Sequence, residues 1–204
     1  MTKLLGVFYP VVPDVSWIER LAPLGVETIQ LRLKDAAPAE VDRQIRASMA
    51  ICQRHGCQLI VNGYWEAAIA AGADFLHLGQ EDLAAADLAR IKAAGLKLGV
   101  SSHDHAELDI ALAAKPDYIA LGPIYETKLK VMKWAPQGLE RIRDWKNRIG
   151  TIPLCAIGGI TPERAPGVLA AGADCVAVVT DFITATDPDA RVRQWVAWAK
   201  TVQR

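Results

Sequence analysis

What this chain lacks narrows its reading before anything it contains. It has no surplus of charge, because 23 Lys and Arg offset 23 Asp and Glu. Such a balance gives no general attraction to nucleic acid or to an acidic membrane surface, although it leaves room for a local anion site. No uninterrupted apolar stretch is long enough to span a bilayer. The N-terminus lacks the basic start and apolar run of a signal peptide. The four cysteines, Cys52, Cys57, Cys155 and Cys175, contain no CxxC pair, and two of them lie in apolar runs. Reduced, buried thiols in a cytoplasmic protein are the expectation. No glycine-rich or charged low-complexity tract marks a linker. Neither a Ser–His–Asp arrangement nor a cysteine nucleophile stands out.

What is present is a recurring phrase. AAGADFLHLGQ (70–80), AAKPDYIALGP (113–123) and AAGADCVAVVT (170–180) each close a small-residue helix, turn, place an Asp and enter an apolar strand. LGVETIQLR (24–32) is a looser fourth copy. Such a unit recurs where helices alternate with parallel strands, and apolar runs without strict alternation fit strands covered on both faces. Eight strands are predicted, near 4–10 and at 27–32, 57–62, 75–79, 97–101, 118–122, 154–159 and 175–180. Helical patterns fill the intervals, among them 38–55, 83–93, 162–171 and 187–202. Thr161 before Pro162, and Asp187 before Pro188, read as N-caps followed by proline at the first helical position. Trp195 and Trp198, three apart, can share one packing face. With 204 residues and 51% hydrophobic content, the expected fold class is α/β, a single small (β/α)8 TIM barrel domain over 1–204. An open doubly wound sheet is the alternative. Against it, no GxGxxG follows the first strand, and glycines cluster after late strands, where barrels often hold phosphate.

In a barrel, function collects at the C-terminal ends of the strands. The second strand delivers Gln30 and Arg32 on one face, with Lys34 just beyond, in QLRLKD. An amide and two cations there suit a dispersed anion. The third strand ends at Asn62, which can donate to phosphate or pair with a heterocycle. The fourth ends in HLGQED, where Asp82 can ligate Mg²⁺ or cap the next helix, and where His77 reads as a packed, hydrogen-bonded residue. The fifth ends at Ser101, Ser102 and His103, whose hydroxyls can hold phosphate or cap a helix. His103 and His105 lack a third ligand for zinc. The sixth leads into LGPIYETKLKVMKWAPQG (121–138), unusually long for a connection. Its Thr127, Lys128, Lys130 and Lys133 suit closure over a polyphosphate. The seventh ends in Gly158-Gly159, where backbone can approach an anion. The eighth ends at Val179, Thr180 and Asp181, and Asp181 is expected to turn away from that anion or to cap a short helix. Two anionic demands thus face each other, as for a pyrophosphate donor meeting a phosphorylated acceptor.

These motifs taken together, QLRLKD, IVN (60–62), HLGQED, GVSSH (99–103), the GPIY loop with MKWAPQG, IGGITPE and GADCVAVVT, resemble the thiamine phosphate synthase family almost end to end. The resemblance implies a transferase that joins hydroxymethylpyrimidine pyrophosphate to thiazole phosphate by a dissociative mechanism, with Mg²⁺ assisting departure of pyrophosphate. It implies that Gln30, Arg32, Lys34, Asn62 and Lys130 contact the pyrimidine pyrophosphate. Ser101 would act near the leaving group, Thr127 near the thiazole phosphate, and Asp82 on the metal. Gly159, Val179 and Thr180 fall where the phosphate of the thiazole unit or product is held. The catalytic set is Arg32, Lys34, Ser101 and Lys130. The partners implied are these two substrates, with no nucleic acid or membrane, and a homodimer is left open.

Three positions depart from the family pattern. The usual Asn-Asp pair after the third strand reads Asn62-Gly63, so a second metal carboxylate is missing and Glu81 is a candidate substitute. The sixth loop reads Glu126-Thr127-Lys128-Leu129-Lys130 in place of Pro-Thr-x-Thr-Lys. Thr180-Asp181 replaces Ser-Ala. Asn62-Gly63 and Glu126-Thr127 are also similar to the related thiazole tautomerases, but Pro123 occupies the position of their catalytic histidine and cannot exchange a proton. A weakened or inactive phosphate-binding paralogue is the other alternative.

Overall fold

The computed structural model describes residues 4–127 and 134–202. Eight parallel strands close into a barrel in sequence order: β1 (Phe8–Val12), β2 (Thr28–Leu31), β3 (Gln58–Asn62), β4 (Phe75–Leu78), β5 (Lys97–Ser102), β6 (Tyr118–Leu121), β7 (Leu154–Ile157) and β8 (Cys175–Val178). Closure is made by β1 on β8, with Tyr9 opposite Ala177. All eight predicted strands are present, and the open-sheet alternative is excluded. The first begins later than expected, at Phe8.

Around the barrel run α1 (Val15–Leu21), α2 (Pro38–His55), α3 (Trp65–Ala71), α4 (Gln80–Ala85), α5 (Leu88–Ala93), α6 (His105–Ala113), α7 (Gly138–Ile149), α8 (Ala165–Ala170), α9 (Thr180–Ile183) and α10 (Pro188–Thr201). Two expectations are corrected. The segment 83–93 is not one helix. It breaks after Ala85, and the Asp87 side chain restarts it by accepting from the Arg90 N–H at 3.0 Å. The helix expected at 162 begins at Ala165. Thr161 supports it with its main-chain carbonyl, which accepts from the N–H groups of Arg164 and Ala165. Asp187 caps α10 as expected, accepting from the Ala190 N–H at 3.0 Å.

Alternation along each strand divides the core in two. Side chains of Tyr9, Val11, Ile60, Tyr118, Ala120, Cys155, Cys175 and Ala177 pack together inside the barrel. Their neighbours along the strands, such as Phe8, Ile29, Leu76, Ile119 and Val176, pack outward against the helices. Trp195 stacks on Phe8 with ring centroids 5.1 Å apart and meets Trp198 edge-on, so this tryptophan pair serves packing. All four cysteines are buried and unbridged, as expected.

In two copies of the repeated phrase the Asp side chain is a staple at the N-terminal end of the barrel. Asp117 accepts from the Leu98 N–H at 2.8 Å, and Asp174 accepts from the Leu154 N–H at 2.9 Å. Each ties the entrance of one strand to the start of its neighbour. These two copies of the repeat therefore pin adjacent strands at their entrances, at the end opposite the C-terminal rim.

Candidate active site

The C-terminal rim brings Gln30, Arg32, Asn62, His77 and Ser101 onto the barrel interior by the same two-residue alternation. Arg32 and Lys34 are exposed, and among the described residues neither forms an ion pair or a side-chain hydrogen bond. Leu33 between them is buried in the outer core, which fixes the direction of both cations. Two exposed cations just beyond a strand end are available to an anionic ligand.

Below Arg32 lies His77. Burial, reinforced by the positive charge of Arg32, holds its pKa down at about 4, so the imidazole is neutral near pH 7. Its Nδ1 lies 2.9 Å from the Tyr118 hydroxyl and its Nε2 lies 2.8 Å from Ser101 Oγ. Tyr118 meets the Tyr9 hydroxyl at 3.0 Å, and Gln30 Nε2 donates to Tyr9 at 2.5 Å. The expected reading of His77 as a packed, hydrogen-bonded residue holds. Gln30 is buried, with its amide nitrogen engaged by Tyr9.

Ser101 and Ser102 point in opposite directions. Ser101 faces the interior. Ser102 is fully buried on the outer face, donating to the Ala120 carbonyl at 3.1 Å and accepting from Trp145 Nε1 at 2.8 Å. Ser102 therefore neither reaches a phosphate nor caps a helix, and the cap of α6 is Asp104. His103 pairs with Glu107 and His105 with Asp144. Gln80 donates to the carbonyls of Ser101 at 2.7 Å and Glu107 at 3.3 Å, fixing the backbone that carries Ser101.

Asn62 closes β3, its Nδ2 donating to the His77 carbonyl at 3.3 Å. Asp82 is exposed at the third position of α4, and its Oδ2 reaches back to the Gly79 N–H at 3.4 Å. The cap residue is thus Gly79, and the Asp82 carboxylate faces the rim on a long, weak bond. Gly63 lies directly opposite: a Cβ placed there would sit 3.5 Å from Asp82 Oδ2. A side chain at position 63 would share the carboxylate's space, so glycine leaves that space open. Mg²⁺ commonly takes one or two carboxylates and fills its shell with water and substrate phosphate. Asp82 beside an open rim fits such an ion. Among the described residues no group of three His, Cys, Asp or Glu converges on one point.

The opposite rim is built from the loops after β6, β7 and β8. Gly159 has φ +63°, and a Cβ there would fall 2.4 Å from the Glu126 carbonyl oxygen. The close approach that Gly158 and Gly159 permit is thus first to the chain at 123–126. Their loop is bound to that segment through Tyr125 N–H to the Gly158 carbonyl at 3.0 Å. This holds Glu126, the residue before Thr127, against the Gly159 turn. Lys128, Lys130 and Lys133 lie outside the described residues. Val179 and Thr180 open the four-residue α9. Asp181 turns away as expected: it takes two hydrogen bonds from Arg191, at 2.7 Å each, and one from Trp195 Nε1 at 2.7 Å.

Sequence reasoning missed Tyr9 and Tyr118. An apolar strand gives a buried tyrosine no signal of its own. The signal available for Tyr118 was Gly99 on the neighbouring strand, whose absent side chain makes room for the ring.

Comparison with known proteins agrees with this geometry. A family model described as thiamine monophosphate synthase matches residues 9–182. A thiamine-phosphate synthase of Rhizobium etli is 59% identical over 193 residues, covering 95% of each chain. One from Klebsiella pneumoniae is 49% identical, covering 94% of this chain and 90% of its own. Among solved structures, a thiamine phosphate pyrophosphorylase from Pyrococcus furiosus superposes with a TM-score of 0.83 at 25% identity, covering 96% of both chains.

Proposed function

The chain belongs to the thiamine monophosphate synthase family, and we propose that it joins hydroxymethylpyrimidine pyrophosphate to hydroxyethylthiazole phosphate, giving thiamine phosphate and pyrophosphate. The observation that carries this reading is the exposed Arg32–Lys34 pair, without an ion-pair partner among the described residues, set on the same rim as Ser101 and Asp82, near a neutral His77.

The bond between the pyrimidine methylene carbon and the pyrophosphate oxygen breaks first, and both electrons leave with the oxygen. The thiazole nitrogen then gives its lone pair to that carbon, and the positive charge ends on the new thiazolium. No proton has to move, which suits a site whose buried centre holds the neutral His77. Charge grows on the departing pyrophosphate, so fixed cations and hydroxyl donors there stabilise the transition state more than the ground state.

In this reading Arg32, Lys34 and Lys130 hold the pyrophosphate, Ser101 donates to it, and Gln30 and Asn62 orient the pyrimidine. Asp82 would hold Mg²⁺, which when bound supplies further charge neutralisation to the leaving group. Thr127, Gly159, Val179 and Thr180 hold the thiazole phosphate, aligning its nitrogen with the cation. The domain is taken as one barrel over 1–204. No helix among the described residues is long and apolar enough to cross a membrane, which is compatible with a cytoplasmic location. A homodimer is the alternative to a monomer.

The experiment is an omission series. Purified protein with both substrates and Mg²⁺ should form thiamine phosphate, and leaving out either substrate or adding a chelator should stop it. Turnover of a thiazole carboxylate phosphate alone, without metal, would point instead to a tautomerase.

A further inference from the structure

An unbroken chain of hydrogen bonds crosses the barrel interior from β2 to β5. It runs from Gln30 Nε2 to the Tyr9 hydroxyl (2.5 Å), to the Tyr118 hydroxyl (3.0 Å), to His77 Nδ1 (2.9 Å), and from His77 Nε2 to Ser101 Oγ (2.8 Å). Gln30, Tyr9, Tyr118 and His77 are all buried. We infer that this chain is a polarised relay in which the amide of Gln30 fixes the tautomer of His77 and thereby frees the Ser101 hydroxyl proton for the barrel mouth.

The polarity follows from counting protons. A phenol has one O–H, a serine has one, and a neutral imidazole has one N–H. The Tyr9 oxygen accepts from the Gln30 amide, and Tyr118 is its other partner among the described residues. Its proton is therefore directed at the Tyr118 oxygen. Tyr118, whose partners are Tyr9 and His77, must then direct its own proton at His77 Nδ1. Nδ1 is thus bare. Burial keeps the ring neutral, so its single proton stands on Nε2, facing Ser101 Oγ. Ser101 accepts that bond and keeps its own O–H for whatever occupies the mouth.

The reverse polarity has the opposite chemical meaning. Ser101 would spend its proton on His77 and present only lone pairs, which repel an anion. Tyr9, Tyr118 and His77 are accordingly positioning residues, acting through Ser101. Gln30 sits at the far end of the same wire, so its amide orientation and the donor state of Ser101 are linked across the barrel. The link itself is a property of the folded protein. Its use, a proton aimed at departing pyrophosphate, rests on the synthase reading.

Two arms test these statements separately. The first is a long-range ¹⁵N–¹H correlation spectrum of full-length protein labelled at histidine, with the His77 signals assigned by their loss in His77→Asn. The wild type should show the Nε2–H tautomer. Gln30→Glu, recorded where the new carboxyl is ionised, offers only acceptors to Tyr9. It should reverse every bond and give the Nδ1–H tautomer, although two tyrosines separate the residues. In Tyr118→Phe the wire is cut, and adding Gln30→Glu should no longer move the His77 signals. A wild-type Nδ1–H tautomer, or a Gln30→Glu spectrum identical to wild type, overturns the relay.

The second arm is kinetic. Tyr118→Phe removes one hydroxyl, worth about one hydrogen bond, and should lower kcat roughly tenfold with both KM values within about twofold. A purely structural tyrosine would leave kcat unchanged once the protein is folded, and that result would remove the catalytic role. Should the wild type show the Nε2–H tautomer yet make no thiamine phosphate, the relay would stand and the synthase reading would fall.

Discussion

A methyl group on Gly99 would lie 2.0 Å from Cζ of Tyr118. The missing side chain on β5 is what lets the tyrosine ring lie across the barrel and place its hydroxyl between Tyr9 and His77. Gly99→Ala should therefore displace the ring, destabilise the fold by about 2 kcal/mol through overpacking and lower kcat. Urea denaturation reads the first effect. Combining it with Tyr118→Ala should cost less than the sum of the two single changes, because each relieves the other.

His77 makes stability depend on pH. Its pKa falls from the ordinary 6.5 to about 4 in the fold, chiefly through burial. Between those values the unfolded chain binds a proton that the folded chain refuses. The stabilisation is therefore fully present above pH 6.5 and is lost as pH falls towards 4, by on the order of 3 kcal/mol in total. Denaturation midpoints measured across this window should drop for the wild type. They should change less for His77→Gln, which cannot take up the proton.

Arg32 contributes to that depression by its charge. Arg32→Gln should raise the His77 pKa, visible by NMR titration. It should also lower kcat/KM for the pyrophosphate substrate roughly thirtyfold, the worth of about 2 kcal/mol of charge-assisted hydrogen bonding. Arg32→Lys should recover the pKa of His77 better than it recovers turnover, because an ammonium keeps the charge but not the two-pronged grip.

Position 63 tests the metal. A side chain there faces Asp82 Oδ2 at 3.5 Å. Gly63→Asp places two carboxylates side by side, so the metal-free variant should melt lower than the wild type. Its φ of +79° adds a strain of about 1 kcal/mol. Mg²⁺ should bind on the order of tenfold more tightly to it by calorimetry. Equal affinity would mean that Asp82 is not a ligand.

The barrel was legible because its signals repeat. The Asp phrases mark strand entrances, and they prove to be staples between neighbouring strands, at Asp117 and Asp174. Boundaries were less legible where backbone, not side chain, does the capping: Thr161 supports α8 with a carbonyl, which no residue type announces. Arg32, Asn62, Ser101 and Asp82 could be placed on one rim from strand-end position alone. The split between Ser101 and Ser102 required the register, since one residue decides whether a hydroxyl faces the mouth or Trp145. The relay was invisible because it joins residues 30, 9, 118, 77 and 101, whose only common feature is the layer they occupy in the closed barrel.

The most direct measurement mixes the purified protein with hydroxymethylpyrimidine pyrophosphate, thiazole phosphate and Mg²⁺, and follows thiamine phosphate and pyrophosphate together. The two products should appear one for one, and chelation of the metal should abolish both. Binding of both substrates without either product would contradict the synthase reading, and would make the open rim at Gly63 the mark of a phosphate-binding protein that has lost its chemistry.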